Sequence, residues 1–282
     1  MKRYLTLTAL LLVLALLTAC GSSAPAVTET PEATVIPETT AVPETPRTRT
    51  VLETLTIEAH IGDLVISTVT EYSYNEMGLL TEVIGYSNGE EVSRTTVEND
   101  EHGEVVRQVA VSSGVTTITE SENTYDEAGN LISKVDTVSV DGTVTDIREY
   151  TYAPGGRLQE ALFTTQGDNG YTTGNRYEYD ENGRQTAEIY LSADGSEARK
   201  ETEYNESGDP IRSVTTNSDG VVTVETDYIY LEDGSIKTVS GQGWNLNTYD
   251  GQGNPLCSEA YTSDGTLMQR ISYTYITVPA FK

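Results

Sequence analysis

Chemistry in this 282-residue chain must come from few side chains, because two histidines, two cysteines and one tryptophan stand beside 18 tyrosines. The pentapeptide Gly85-Tyr-Ser-Asn-Gly89 matches the G-x-S-x-G elbow of serine hydrolases, a motif that needs a strand-to-helix turn and a histidine partner. Its residues fall in phase with Asn-Gly and Asp-Gly turns elsewhere in the chain, so a hairpin tip is expected there and no nucleophile. His60 lies in a candidate edge strand, and His102 fills a turn position held by Met77, Ala128, Asn182 and Ser207 in other copies. No catalytic residue is assigned and the chain reads as a non-enzyme. Acidic turns such as Asp126, Asp180 and Glu181 leave room for weak Ca²⁺ binding, although the EF-hand spacing and the glycine-rich calcium nonapeptide are missing. No metal site or cofactor is assigned.

The aromatic signal is stronger. Tyr-x-Tyr occurs five times, at Tyr72/Tyr74, Tyr150/Tyr152, Tyr177/Tyr179, Tyr228/Tyr230 and Tyr273/Tyr275. Strand residues two apart share a face, so these ten tyrosines are expected as a column on one side of a sheet. Half-exposed rings in such a column can stack on sugar rings, which makes them the ligand-binding candidates. The plainer expectation is that they pack against Leu or Val of the next strand, with their hydroxyls in water.

What positions them is a repeat. Tyr-x-x-x-Gly starts at Tyr74, Tyr125, Tyr152, Tyr179, Tyr204, Tyr230 and Tyr249, and a degenerate copy starts at Asn99. Successive starts are 25, 26, 27, 27, 25, 26 and 19 residues apart. Half a period later come Asn88-Gly89, Asp141-Gly142, Asp194-Gly195, Asp219-Gly220 and Asp264-Gly265, the strongest short hairpin signals because glycine takes φ > 0 at no steric cost. The Asp-Glu-x-Gly turns suit a type I turn closed by a G1 bulge. Between turns run Val/Thr/Ile/Tyr-rich segments such as Val221 to Tyr230. The fold expected is all-β: a repetitive antiparallel hairpin meander of about eight units and about 16 strands. At ~4.8 Å per strand an open sheet that wide curls, giving a curved or spiralling partial shell. The last spacing predicts a shortened unit, and strands such as Val115 to Tyr125, polar on both faces, predict a wet concave side.

The N-terminus is an address. Lys2 and Arg3 precede an apolar run from Leu5 to Leu17, too short for an ordinary span of ~20 residues. The run ends in Leu17-Thr18-Ala19-Cys20-Gly21, which resembles the lipobox of bacterial lipoproteins; an ordinary secretory signal is the alternative. The resemblance implies cleavage after Ala19 and acylation, with palmitate-type chains, at Cys20. Residues 1–19 are then a signal peptide, 20–50 a lipidated cysteine with a disordered Pro/Thr/Glu-rich tether, and 51–282 the repeat domain. The implied location is the cell membrane, on its extracytoplasmic face. Cys257 is left as a lone thiol.

A net charge of −27 argues against nucleic acid and anionic surfaces as partners, since both need clustered positive charge. The membrane is met through the lipid alone, and oligomeric state is not encoded legibly. Tyr125-Asp-Glu-Ala-Gly-Asn-Leu131, Tyr179-Asp-Glu-Asn-Gly-Arg184 and Tyr249-Asp-Gly-Gln-Gly-Asn254 resemble the YD repeat of the RHS family, over roughly residues 70–275. Asn99, Ala153 and Leu231 depart from its pattern. The resemblance implies β-hairpin spirals that enclose a toxin or act in cell-surface contact and carbohydrate binding. Without the family's core region and toxin segment, only surface contact carries over. The function expected is therefore lipid-anchored adhesion or glycan/protein binding. A structural or carrier lipoprotein holding a lipid or peptide is the alternative, and a wall-polymer hydrolase built on a carboxylate pair is the third.

Overall fold

The computed structural model describes residues 48–167, 170–241 and 243–281. The signal peptide, Cys20 and the tether up to residue 47 lie outside the described residues. Beyond them the chain is strand and turn. The strands are β1 (Thr48–Ile61), β2 (Leu64–Tyr74), β3 (Leu80–Ser87), β4 (Glu90–Asn99), β5 (Val105–Ser112) and β6 (Val115–Tyr125). They continue as β7 (Leu131–Val140), β8 (Thr143–Ala153), β9 (Arg157–Thr165), β10 (Thr172–Tyr179), β11 (Gln185–Leu191) and β12 (Glu197–Tyr204). The last six are β13 (Pro210–Thr216), β14 (Val222–Tyr230), β15 (Ile236–Ser240), β16 (Gly243–Tyr249), β17 (Pro255–Thr262) and β18 (Leu267–Pro279).

Each strand pairs antiparallel with its sequence neighbours, and β1 pairs with β18 as well as with β2. The expected all-β antiparallel hairpin meander is thus observed, and it closes on itself as an 18-stranded barrel, two strands more and further curled than the curved or spiralling partial shell of about sixteen strands. Two observations account for the difference. The segment before Tyr74 contributes a full hairpin, β1 and β2, with no Tyr-x-x-x-Gly start of its own. Tyr275 stands 26 residues after Tyr249 in the position of a ninth start, but no glycine turn follows it. The chain instead runs straight on, so that Pro279 lies opposite Thr48. His60 consequently lies in a strand paired on both sides, not at an edge. The shortened unit appears as β15 and β16, whose ends Ser240 and Gly243 pair directly.

Two turn chemistries join the strands, one at the tyrosine end and both at the other, where Ser192–Ser196, Asn217–Val221 and Thr262–Thr266 repeat the tyrosine-end pattern. At the tyrosine end, Asn75 N–H donates to Leu79 O and Gly78 N–H donates to Asn75 O, both at 2.9 Å, with a register shift at Tyr74. This is the type I turn with G1 bulge. Oδ1 of the first turn residue also accepts two backbone N–H groups at Asn75, Asp100, Asp126, Asp180 and Asp250, which explains the Asp/Asn at that position. At the opposite end three hairpins turn on two residues with φ > 0: Asn88 (52°) and Gly89 (81°), Ser113 (51°) and Gly114 (80°), Asp141 (47°) and Gly142 (83°). These are type I′ turns, whose twist matches the strands. Gly85 to Gly89 is thus a hairpin, not an elbow into a helix.

Directly opposed residues share a face, and following the ladders around the ring returns to the same face. That face carries all five Tyr-x-Tyr pairs and also Leu55, Ile57, Thr70, Val83, Thr95, Val97, Val138 and Ala161, all buried. Because enclosure in a barrel falls on the concave side, this is the inner face. No large side chain is completely enclosed among the described residues, as expected of barrels of 16–18 strands, which surround water.

The outer face carries charge ladders across strands. Arg94 pairs with Glu82 and Glu91, Arg107 with Glu98 (3.1 Å), Arg176 with Glu197 (2.6 Å) and Arg199 with Glu178 (2.7 Å). Arg212 pairs with Glu225 (2.6 Å) and Arg270 with Glu259 (2.7 Å). Exposed pairs of this kind contribute little to stability individually. Their consequence is for solvation: they make this part of the outer surface strongly polar.

Candidate binding face

The tyrosine column forms as expected, but its members divide into two roles. The second tyrosine of a pair, at the strand end, reaches back to the preceding strand. Tyr74 OH donates to Leu52 O (2.7 Å), Tyr179 OH to Leu158 O (2.7 Å), Tyr230 OH to Pro210 O (2.9 Å) and Tyr275 OH to Pro255 O (2.8 Å). Tyr204 does the same to Gln185 O (2.6 Å). In four of these five the acceptor lies two residues after the turn glycine of the unit before. The degenerate copy keeps the contact with a different side chain, since Asn99 Nδ2 donates to Leu80 O (2.9 Å). Where Tyr125 turns instead to Asp100, Asn123 takes over the bond to Val105 O (3.2 Å). The hydroxyls expected in water are therefore inter-unit fasteners at these positions. The turn residue after the glycine adds to this: the Arg157 guanidinium lies 5.7 Å from the Tyr179 ring centre and that of Arg184 lies 5.1 Å from Tyr204.

The first member of each pair lies deeper in the barrel. Tyr72, Tyr177, Tyr228 and Tyr273 are half-buried there, and Tyr150 is only 8% exposed. Their rows contain Thr, Ser and Asn in abundance, so aromatic faces and hydrogen-bonding groups alternate. Tyr152 is the one strand-end tyrosine whose environment resembles the deeper set.

On β6 to β10 the inner face holds a polar cluster that the sequence does not announce. One row across the strands reads Asn123, Lys134, Tyr150, Ala161, Asn175; the next reads Ser121, Asp136, Arg148, Phe163, Thr173. Asp136 is 6% exposed, and Lys134 Nζ stands 3.7 Å from its Oδ1, an ion pair too long for a hydrogen bond. Tyr150 meets Phe163 edge to face at 6.1 Å. Oδ1 of Asn123, Oδ1 of Asp136 and the hydroxyl of Tyr150 are buried without a hydrogen-bond partner. Such atoms are rare in native proteins and mark places where water or a ligand belongs.

Titration follows from these surroundings. Burial, then the Asp136 carboxylate, pushes the Tyr150 phenol up to about 12. Burial, then Glu104, does the same to Tyr152, also to about 12. Folding thus favours the protonated phenols, so their contribution is complete below pH ~10, the unfolded value, and is lost as pH rises towards 12. For Tyr150 the loss is on the order of 2 kcal/mol across that window. Denaturant titrations at pH 9 and above are expected to show this fall, and a Tyr150→Phe/Tyr152→Phe variant is expected to reduce it, the remainder coming from other raised phenols such as Tyr179 and Tyr273.

The acidic turns behave differently. Asp126 is held below the usual carboxylate range by the Asn130 side chain and by backbone N–H groups, and Asp180 by the Arg184 N–H and guanidinium. Burial pushes Asp100 up, but bonds from Tyr125, Asn123 and the N–H groups of Glu104 and His102 outweigh it and leave it low. These carboxylates serve their own turns, and among the described residues no group of three acidic, His or Cys side chains is placed to hold a metal. His102 stacks on Tyr125 at 4.0 Å. Cys257 faces Ser272 on the outer side, its thiol pushed up by burial and then by Glu259, which makes it a poor nucleophile. An outer depression of about 480 Å³ lies over Ile189 and is ringed by the paired charges Arg176–Glu197 and Arg199–Glu178.

No protein-family model matches the chain, and no curated protein matches it. Among solved structures it is similar to a porin-like protein from Bacteroides uniformis, at 12% identity and TM-score 0.40, covering 80% of this chain and 96% of the other. A porin-like protein from Bacteroides vulgatus is similar at 12% identity and TM-score 0.35, covering 80% and 99%. The structure titled TcdB2-TccC3-Cdc42 is similar at 14% identity and TM-score 0.21 over 80% of this chain, which spans 18% of that one. With TM-scores of this size, the barrel stands on the chain's own strand pairing.

Proposed function

We propose that this protein is a lipid-anchored cell-surface protein whose YD-like repeat barrel works without catalysis, in adhesion or in glycan/protein binding. The observation that carries it is the division of the tyrosine column. Most strand-end members are taken up as fasteners, while the first members of the pairs lie on the inner face beside hydrogen-bonding neighbours, as Tyr177 does beside Asn175. The outer Arg–Glu ladders support a barrel held beside the bilayer by its lipid, because an arginine in a lipid-facing band costs about 2–4 kcal/mol at mid-bilayer. A tether of some 30 residues reaches about 90 Å when extended, enough to lift the barrel clear of headgroups. The inner face mixes Leu55, Ile57 and Val83 with Thr, Asn and charged groups, which suits a polar ligand better than a lipid cargo.

Two measurements test this. Cys20→Ala is expected to abolish incorporation of labelled fatty acid and to move the chain into the soluble fraction, since acyl chains are its only hold on the membrane. Glycan-array screening and pull-down with the anchored chain are expected to retain a surface glycan or protein. The absence of any ligand at about millimolar concentration overturns the binding reading.

A further inference from the structure

We propose that the inward cluster of Asn123, Lys134, Asp136, Arg148 and Tyr150 is a binding site for one ring of a neutral sugar, which deepens the binding reading above by naming where a ligand sits. Three buried polar atoms there make no hydrogen bond, Asn123 Oδ1, Asp136 Oδ1 and Tyr150 OH, although the Arg148 guanidinium lies close to the Tyr150 hydroxyl. The orientation of Asn123 is settled by its own bonds, for Nδ2 donates to Asp100 Oδ2 at 3.1 Å and to Val105 O at 3.2 Å. Its Oδ1 is thereby left pointing away, unsatisfied. Asp136 is more than nine-tenths buried, as is Tyr150, and both lie on the inner face.

The charges select the ligand class. Two of the three orphaned atoms accept hydrogen bonds only, so the missing group must donate. An anion would meet the Asp136 carboxylate and the Asn123 carbonyl; a cation would meet Lys134, 3.7 Å from Asp136, and Arg148, directly opposite Asp136 in the ladder. A neutral ring with several hydroxyls avoids both conflicts. It donates to Asn123 and Asp136, accepts from Lys134 and Arg148, and exchanges a bond with Tyr150. The edge-to-face pair of Tyr150 and Phe163 supplies an apolar wall for the C–H face of a sugar. Lys134 is three residues into β7 from Leu131, about 10 Å from the tyrosine-end rim at ~3.4 Å per residue.

The test is calorimetric titration of the full chain with D-glucose, D-galactose and N-acetyl-D-glucosamine, for wild type, Asp136→Asn and Tyr150→Phe. At least one sugar is expected to bind with a stoichiometry of one, and to bind roughly tenfold more weakly to each variant, the loss of about one hydrogen bond. Tyr150→Phe removes a hydroxyl whose one polar neighbour is Arg148, beyond a well-formed hydrogen bond, so it is expected to melt close to wild type while binding less well; a purely structural role does not separate the two readouts. If Asp136→Asn fails to fold, Tyr150→Phe carries the test alone. No binding by any of the three sugars, or equal binding by the Tyr150→Phe chain, overturns the site and leaves water as its occupant. Retention of a surface glycan or protein by that same variant would keep the proposed function while the interior site falls.

Discussion

Gly78→Ala is expected to destabilise the barrel by about 3 kcal/mol or more, against about 1 kcal/mol for Gly89→Ala. Both glycines have left-handed backbones, φ +77° and +81°, where an alanine costs roughly 1–2 kcal/mol. They differ in what a new Cβ meets. At Gly89 nothing lies within 4 Å, whereas at Gly78 the Cβ would sit 2.0 Å from Pro279 O and 3.1 Å from Val278 Cγ2. Those atoms belong to the end of β18, which closes the ring by pairing with β1 over eleven positions. Arg49 fastens the same place, donating to Gly78 O at 2.8 Å. Relieving the clash moves backbone at the seam, where overpacking typically costs a further 1–3 kcal/mol. An opened seam would expose two long strand edges, the hazard that barrels exist to remove. Urea melts give the two costs, and amide exchange in β1 and β18 locates the opening. Equal effects at the two glycines would show that the seam does not hold the barrel shut.

Closure was the part of the fold that the repeat could not reveal. Hairpins are written locally, in Asn88-Gly89 or in Asp126 with the N–H groups that donate to it, so the strands and both sorts of turn are legible from a few residues each. The β1–β18 contact joins residues some 220 positions apart, as in the Thr54–Thr274 hydroxyl bond at 2.8 Å, and uses no signature of the repeat. In hindsight the missing glycine after Tyr275 is the signal, since a strand that does not turn must find another partner.

The candidate site shows the same split. The tyrosines are legible because aromatic residues two apart need no partner to define their face. Asn123, Lys134, Asp136 and Arg148 are not, because β6 is polar on both sides, β7 and β8 place charged or polar residues among apolar ones, and nothing in their own sequences says which side is inner. Bulges compound this: the register shifts between Val138 and Ser139, within two residues of Asp136. Only the ladder all the way round the ring assigns those four side chains to the interior.

The tyrosine fasteners are expected to show a large cumulative effect. Tyr179, Tyr204, Tyr230 and Tyr275 each donate to a carbonyl of the preceding strand at 2.6–2.9 Å. Replacing all four by Phe keeps the rings in the column and leaves four carbonyls short of a donor. At about 1 kcal/mol per bond the quadruple variant loses about 4 kcal/mol, or roughly 8–16 °C in melting temperature for a domain of this size. Tyr86, on the outer face, is the control, and Tyr86→Phe is expected to change little. Ligand binding, in contrast, is expected to survive in the quadruple variant at temperatures where it is folded, because the tyrosines that line the interior are the other members of the pairs. A variant that kept its stability but lost binding would reverse the division of labour and make the strand-end hydroxyls the ligand contacts. The nearest-neighbour character of a repeat array adds a further expectation. Tyr204→Phe alone should weaken exchange protection most at β11 and β12, the strands that its hydroxyl ties together, and least across the ring at β2 and β3.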